Sequence, residues 1–223
     1  MDLKQKDLSQ TRGWYCFSVN MIIDVDSDRF VKEVIEGNEY SFLFKDLVVV
    51  DLGCNVGTFS LWIHKLAREI YAIDMVPENI NSLNETIRKN KLDRIKTYCI
   101  AISNNNIAKK YKKDPIRGGG ASEIEDGGTF VTPCITLRQF MKQNNIEYID
   151  VMKMDIEGHE RCVIEAVDFP SNKINTIIGE IHKTGRGGRY EVKDLLEKMG
   201  YRYMEPVRNH FLARKIPKGR QAL

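Results

Sequence analysis

Two acidic residues in this sequence directly follow short apolar runs of the kind that form buried strands. The run LVVV at 47–50 ends at Asp51, and YAI at 71–73 ends at Asp74. Between them, residues 53–57 read GCNVG, a turn that allows close backbone approach to a ligand and directs helix N–H groups toward negative charge. An acid about 20 residues after such a turn can accept hydrogen bonds from both ribose hydroxyls. Although either acid alone could simply cap a helix, the combination favours a ligand site.

The spacing of the glycines excludes two common nucleotide sites. A GxGxxG fingerprint that began at Gly53 would need glycine where Asn55 and Thr58 stand. A Walker loop is also excluded, because no Gly-Lys-Ser/Thr sequence follows the turn. The turn therefore suits a ligand with a small carboxylate and an amine rather than a pyrophosphate.

A second group of ionisable residues follows later apolar runs. Asp155 comes directly after one predicted strand, and Glu157 lies just beyond it. Glu180 and His182 end the next strand, and because they are two residues apart their side chains are expected to point to the same face. All four are candidate catalytic residues, because a carboxylate or a neutral imidazole can accept the proton of an attacking hydroxyl. Asp155 and Glu157 could instead complement a helix dipole or shape the pocket, and a lone histidine is more often structural.

Lys153 lies inside the predicted strand that leads to Asp155. A lysine is rarely buried unless it is paired, so we expect Lys153 to pair with neighbouring carboxylates and to keep them ionised. Several acids in one place could also hold a divalent cation. Nothing in their spacing requires one, and no metal site is predicted.

Alternating strand and helix patterns must position these residues. Strands are predicted at 47–50, 70–73, 97–102, 148–154 and 174–181, with helices at 58–68, from Pro77, at 137–141, through Val163 and at 192–196. Residues 201–204 and 210–213 predict a terminal antiparallel hairpin. Trp14, Tyr15 and Phe17 could cover the site, but they are expected to pack a first helix instead. The sequence therefore predicts an α/β fold, a Rossmann-like doubly wound sheet that is mostly parallel with an antiparallel C-terminal hairpin. Ligands bind such sheets at the carboxyl ends of the strands.

Three motifs resemble a known family. VVVDLGCNVG at 48–57 resembles motif I of class I S-adenosylmethionine-dependent methyltransferases, and YAID at 71–74 resembles their ribose-binding acidic motif. IDVMKMDIEGHE at 149–160 resembles the K-x-D-x-E-G-x-E signature of the FkbM methyltransferases. The resemblance covers roughly residues 42–183, although Asp74 stands where the family often has Glu and His159 where a small residue is commoner.

The resemblance implies S-adenosylmethionine as cofactor and a set of residues that would bind it. The turn at 53–57 would wrap the methionine end, and the segment that ends at Ser103 would lie near the adenine. The expected cofactor-binding residues are Asp51, Gly53, Cys54, Asn55, Gly57, Asp74, Met75, Ile102, Ser103 and Asp155.

The resemblance also implies O-methylation of a hydroxyl on a sugar, glycan or secondary metabolite. The N/D-P-P-Y motif of many base methyltransferases is missing, since Asp155 is followed by Ile156, Glu157 and Gly158. Residues 107–117 hold five basic residues and one acidic residue, and residues 183–189 hold three basic residues. Both segments follow predicted strands at the carboxyl edge, so the acceptor could be anionic, although basic runs are often only solvated surface. Two alternatives remain open, an RNA methyltransferase and a cofactor-binding regulatory module without turnover.

Composition and length set wider limits. The chain has 223 residues, of which 42% are hydrophobic and 29% charged, which predicts a soluble globular protein and excludes collagen-like and disordered classes. A net charge of +3 argues against a uniformly basic nucleic-acid binder. The five cysteines form no CxxC pair, so a reducing, cytoplasmic location is expected, and no signal peptide or membrane span is seen. We expect an N-terminal cap at 1–40 and one methyltransferase domain at 41–223.

Overall fold

The computed structural model describes residues 14–16, 21–23, 46–113, 121–123, 130–181, 189–207 and 210–216. The strands are β1 (Trp14–Cys16), β2 (Met21–Ile23), β3 (Leu47–Leu52), β4 (Ala67–Asp74), β5 (Ile95–Cys99), β6 (Ala101–Ile102), β7 (Lys109–Lys113), β8 (Ala121–Glu123), β9 (Phe130–Thr132), β10 (Cys134–Ile135), β11 (Ile149–Met154), β12 (Ile174–Glu180), β13 (Tyr201–Val207) and β14 (His210–Lys215). The helices are α1 (Thr58–Ile63), α2 (Pro77–Asn90), α3 (Leu137–Gln143), α4 (Glu160–Ile164) and α5 (Arg189–Lys198), with a 3₁₀ turn at Ser171–Lys173. None of the helices in these ranges is long and apolar enough to cross a membrane.

A seven-stranded sheet forms the centre of the fold, in the order β13-β14-β12-β11-β3-β4-β5. The five strands from β12 to β5 are parallel, and β14 runs antiparallel to both β12 and β13. The chain winds outward from β3 to β5 and then returns to the other side of β3 at β11. This reversal opens a crevice at the carboxyl ends of β3 and β11. The predicted doubly wound, mostly parallel sheet with a terminal hairpin is confirmed.

Apolar side chains cover both faces of the sheet. Val50 and Met152 point to the face that packs against α3, α4 and α5, whereas Val49 and Val151 point to the face that packs against α1 and α2. Successive residues of a strand point to opposite faces, so a continuous run such as LVVV supplies both cores. The two packed faces fix the parallel strands, and therefore the edge where the predicted site residues lie.

Local signals explain where the helices begin and end. Pro77 occupies the first turn of α2, where its missing N–H costs no hydrogen bond. Thr136 and Gln139 form a reciprocal capping box at the start of α3. The predicted helix at 58–68 was too long, because α1 ends at Ile63 and β4 already begins at Ala67. The backbone N–H of Leu47 donates to the carbonyl of Leu66, which ties this turn to β3.

The predicted third strand is divided in two. β5 stays in the central sheet, whereas Ala101 and Ile102 leave it and pair with β10. The long connection that follows contains the basic segment at 107–117. Its described residues include a small antiparallel sheet in the order β8-β7-β9, with the lysine-rich segment as its middle strand.

The N-terminal prediction of a first helix was wrong at Trp14 and Tyr15, which lie in β1 and pair with β2. β2 lies next to α2. Phe17, His182 and the expected domain boundary at residue 40 lie outside the described residues.

Candidate active site

The turn after β3 has three residues with left-handed backbone, Gly53 (φ 71°), Asn55 (φ 52°) and Gly57 (φ 88°). The backbone N–H groups of Gly53 and Cys54 both donate to the carbonyl of Ile73, at 2.9 and 3.0 Å. This glycine-rich turn is therefore fixed against the end of β4, where the second predicted acid lies.

Two of its glycines are required by close packing as well as by backbone conformation. A Cβ atom on Gly53 would lie 1.8 Å from the carbonyl oxygen of Asp155, and a Cβ atom on Gly57 would lie 2.3 Å from Cδ1 of Leu83. The sequence suggested that glycine leaves room for a ligand. In the structure Gly53 lets the turn after β3 touch the turn after β11, so the two motifs form one wall.

Asp74 is held by hydrogen bonds from the glycine-rich turn and from the start of α2. Its Oδ2 accepts the backbone N–H of Asn55 at 2.8 Å, and its Oδ1 accepts the N–H of Val76 at 2.8 Å and Nδ2 of Asn79 at 3.3 Å. Burial raises its pKa to about 6, although these donors and Lys153 favour the ionised form. The helix-cap interpretation is partly right, because Val76 is the N-cap residue of α2. The same carboxylate also binds the glycine-rich turn.

Lys153 joins two acids at the crevice. Its Nζ lies 3.2 Å from Oδ1 of Asp51 and 3.6 Å from Oδ2 of Asp155, and it donates to the carbonyl of Gly53 at 3.1 Å. The register explains the arrangement, because Lys153 on β11 lies opposite Asp51 on β3. Asp51 is fully buried and also accepts Oγ of Ser60 at 2.7 Å. We call Asp51, Lys153 and Asp155 the carboxylate–lysine cluster; its contacts confirm that the buried lysine is paired.

Buried side-chain oxygens without a hydrogen bond lie in the glycine-rich turn and in the strand and helix on either side of it. Among the described residues they are Asp51 Oδ1, Asn55 Oδ1 and Thr58 Oγ1. Asp51 Oδ1 has the ion-pair contact with Lys153, without hydrogen-bond geometry. Buried polar atoms normally have partners, so Asn55 and Thr58 indicate that a ligand with hydrogen-bonding groups belongs here. Thr58 was not predicted as a site residue from the sequence, because it was considered only as a position where the GxGxxG pattern lacks glycine. Its position directly after Gly57 could have indicated a role in the site.

On the other side of β11, register brings further ionisable groups into a row. Met154 lies opposite Gly179, so Asp155 and Glu180 follow at the ends of adjacent strands. Glu180 lies opposite His210 of β14, with 4.0 Å between Oε2 and Nε2. The row thus runs from Asp155 through Glu180 to His210, at the carboxyl edge. His210 was not predicted as a site residue, because its position depends on the hairpin register.

The sequence matches a family over most of this architecture. The Methyltransferase FkbM domain matches residues 51–203, which is more than half of the chain. The chain belongs to the FkbM methyltransferase family. The predicted family and its cofactor, S-adenosylmethionine, are confirmed.

Individual relatives of this FkbM methyltransferase differ in what they act on. Hexuronic acid methyltransferase AglP of Haloferax volcanii is 24% identical over 139 residues, which cover 62% of this chain and 57% of AglP. An uncharacterized RNA methyltransferase of Clostridium tetani is 37% identical over 57 residues, which cover 26% of this chain and 12% of that protein. The chain thus spans little more than half of AglP and a small part of the RNA methyltransferase.

A solved structure shows the same fold. The methyltransferase FkbM of Methylobacillus flagellatus superposes with a TM-score of 0.52 and 16% identity, covering 83% of this chain and 47% of that one. The two chains therefore share the fold.

In this FkbM methyltransferase the signature turn after β11 is held by its own last acid. Glu160 is 2% exposed, and its Oε1 accepts the backbone N–H groups of Ile156 and Gly158 at 3.1 and 3.3 Å. Glu157 and Gly158 both have left-handed backbone, with φ of 53° and 94°. The last acid of the signature therefore shapes the turn that presents Glu157.

The remaining predicted cofactor residues lie around the same edge. Ser103 is fully buried, and its Oγ lies 3.2 Å from Nε2 of His159 in the signature turn. The carbonyl of Met75 accepts Oγ1 of Thr132, which ties β9 to the end of β4. Ile102 is buried in the core.

Burial, with Asp74 and Asp51 nearby, raises the pKa of Cys54 well above its usual value, so this thiol is unsuited to act as a nucleophile.

Proposed function

We propose that the chain transfers a methyl group from S-adenosylmethionine to a hydroxyl of an acidic sugar or glycan. The observation that carries this proposal is the row Asp155–Glu180–His210 beside the glycine-rich turn. A hydroxyl loses its proton when it is methylated, so an O-methyltransferase needs a proton acceptor next to the cofactor.

The residues present fit the cofactor. The unsatisfied oxygens of Asn55 and Thr58 can accept hydrogen bonds from an ammonium group, and Asp74 can accept them from ribose hydroxyls. We assign the turn at 53–57, with Asp51, Asp74 and Met75, to one end of the site, and Ile102 and Ser103 to the other. When bound, S-adenosylmethionine supplies a methyl group activated by a sulfonium.

We assign Asp155 as the residue that accepts the proton. Its side chain is 37% exposed, whereas Asp51, the other acid in contact with Lys153, is fully buried and bonded to Ser60. Asp155 therefore has a face open to the crevice, and its Oδ2 lies 3.6 Å from Nζ of Lys153. Glu157 and Glu180 line the same edge and are assigned to orienting the acceptor. His182 remains a prediction for the same role.

An acidic acceptor is supported by charge and by one relative. β7 brings the lysine-rich segment 109–113 into the small sheet, and Thr132 joins that sheet to Met75 at the cofactor end. Lys110 is exposed there. Lysines at the rim attract a carboxylate or phosphate, and AglP is named for action on a hexuronic acid. We therefore propose that a uronic-acid sugar is a better methyl acceptor than a neutral sugar.

The test is methyl transfer from labelled S-adenosylmethionine to three acceptor classes: glucuronides, the matched neutral glucosides, and total tRNA. We expect O-methyl glucuronide, identified by NMR, and loss of at least about 100-fold in turnover for Asp155→Asn. Asp93→Asn is the matched control, because Asp93 is exposed and precedes β5, at the opposite edge of the sheet. Transfer to tRNA that weakens steeply with salt would replace this proposal with an RNA methyltransferase. Cofactor binding without turnover on any class would indicate a regulatory module.

A further inference from the structure

The carboxylate–lysine cluster combines one cation with two carboxylates, so its formal charge is one negative. Lys153 lies 3.2 Å from the buried Asp51 and 3.6 Å from the partly exposed Asp155. Of the two carboxylates, Asp155 is the one on the side that opens to the crevice.

The two forms of the cofactor differ in charge. S-adenosylmethionine carries a positive sulfonium, and S-adenosylhomocysteine, the product, carries a neutral thioether in its place. A fixed negative charge stabilises the first and leaves the second almost unaffected, and the difference grows where water is excluded. The cluster can therefore distinguish substrate from product.

We propose that the carboxylate–lysine cluster makes the site bind the sulfonium form in preference to the thioether product, and that Lys153 limits the size of this preference. The inference rests on the proposed function, since it takes the crevice beside the turn at 53–57 as the cofactor site. It gives Asp155 an electrostatic role that is separate from proton acceptance. Without Lys153 the buried Asp51 would lose its cation, so the site itself would be less stable.

The test measures binding alone, without acceptor. Isothermal titration gives the dissociation constants of S-adenosylmethionine and S-adenosylhomocysteine, and their ratio reports the preference. Asp155→Asn makes the cluster neutral and should reduce the preference for the sulfonium about tenfold. Lys153→Met removes the cation of the cluster and should increase that preference, by up to about tenfold, the full effect being reached when Asp51 stays ionised.

The double variant Asp51→Asn/Lys153→Met is the matched control. It removes two members of the cluster but restores a formal charge of one negative, so the ratio should return close to that of the native protein. It also avoids a buried carboxylate without its cation, which makes it the better-folded partner of Lys153→Met. Structural damage would weaken the binding of both ligands together, so it would cancel in the ratio of dissociation constants. Charges common to all variants, such as that of Asp74, cancel in the comparison of variants.

The outcomes separate this inference from the proposed function. A ratio within about twofold of the native value in Asp155→Asn, or one that moves the same way as in Lys153→Met, overturns the inference. If Lys153→Met does not fold, Asp155→Asn and the double variant decide by the same criterion. Normal binding of both ligands with an unchanged ratio leaves the proposed function standing. Failure of the native protein to bind either ligand overturns both.

Discussion

Gly53 packs directly against the backbone of Asp155, so that a side-chain carbon at residue 53 would lie 1.8 Å from the Asp155 carbonyl oxygen. The carbonyl of Gly53 accepts Nζ of Lys153, and the N–H of Asp155 donates to the carbonyl of Leu52. The glycine-rich turn and the signature turn are therefore one packed unit, and separating them should disturb both.

Gly53→Ala tests this packing. We expect a loss of about 3 kcal/mol or more in the free energy of unfolding, together with loss of S-adenosylhomocysteine binding, because the new methyl group forces the two turns apart. Gly200→Ala is the control, since Gly200 also has left-handed backbone, with φ of 82°, but nothing lies within 4 Å of its added carbon. It should cost only about 1 kcal/mol and leave binding intact. Equal losses in the two variants would refute the packing argument.

The pKa of Asp74, raised to about 6 by burial, makes two quantities depend on pH. The native carboxyl holds its proton to higher pH than the unfolded one, so the free energy of unfolding falls as pH rises from about 4 to about 6, by up to about 3 kcal/mol from this group. Affinity for S-adenosylhomocysteine should rise over the upper part of the same range, because the ionised carboxylate accepts hydroxyl donors better.

Chemical denaturation and titration calorimetry across this range, in the native protein and in Asp74→Asn, check both slopes. The variant keeps a polar side chain but does not titrate, so its stability should vary less with pH. Its affinity for S-adenosylhomocysteine should be weaker and independent of pH. A native affinity that is independent of pH would remove Asp74 from the cofactor site.

Features written in short stretches of sequence could be predicted. The run LVVV, the glycines after it and the acid at its end together specify a buried strand, a tight turn and a helix. Lys153 could be recognised as paired because an isolated buried ammonium is too costly. Each of these depends on neighbours in the chain or on a general cost of burial.

Features that depend on pairing between distant segments could not be predicted. Leu66 keeps the apolar spacing of α1, yet the chain has already turned there to bond with Leu47. The segment KKYKK in β7 lacks an apolar alternation, since Tyr111 is its one apolar residue. His210 reaches Glu180 through a hairpin whose register shifts between Met204 and Val207. One residue of shift moves every side chain to the other face, so no local pattern determines that contact.

Glu157→Gly should separate stability from activity. Glu157 has left-handed backbone with φ of 53°, so glycine should raise the free energy of unfolding by about 0.5–1 kcal/mol. If the carboxylate orients the acceptor, as proposed, kcat/KM for the acceptor should fall about tenfold. Lys91→Gly is the control, because Lys91 has the same φ, is exposed and ends α2. It should give the same gain in stability without loss of turnover, and equal activity of the two variants would exclude Glu157 from the site.

Thr58→Val should have opposite effects on folding and on binding. Thr58 is 5% exposed, and its Oγ1 has no hydrogen-bond partner among the described residues, so the isosteric valine should leave the free energy of unfolding unchanged or raise it slightly. The same change should weaken S-adenosylhomocysteine binding about tenfold, because it removes a preformed acceptor at the start of α1, next to the glycine-rich turn. Thr86→Val is the matched control, since Thr86 is fully buried and its Oγ1 donates to the carbonyl of Ser82 at 3.2 Å. That variant should lose about 1 kcal/mol of stability and keep native affinity. A Thr58→Val protein that is destabilised but binds normally would show that the hydroxyl serves folding and not the ligand.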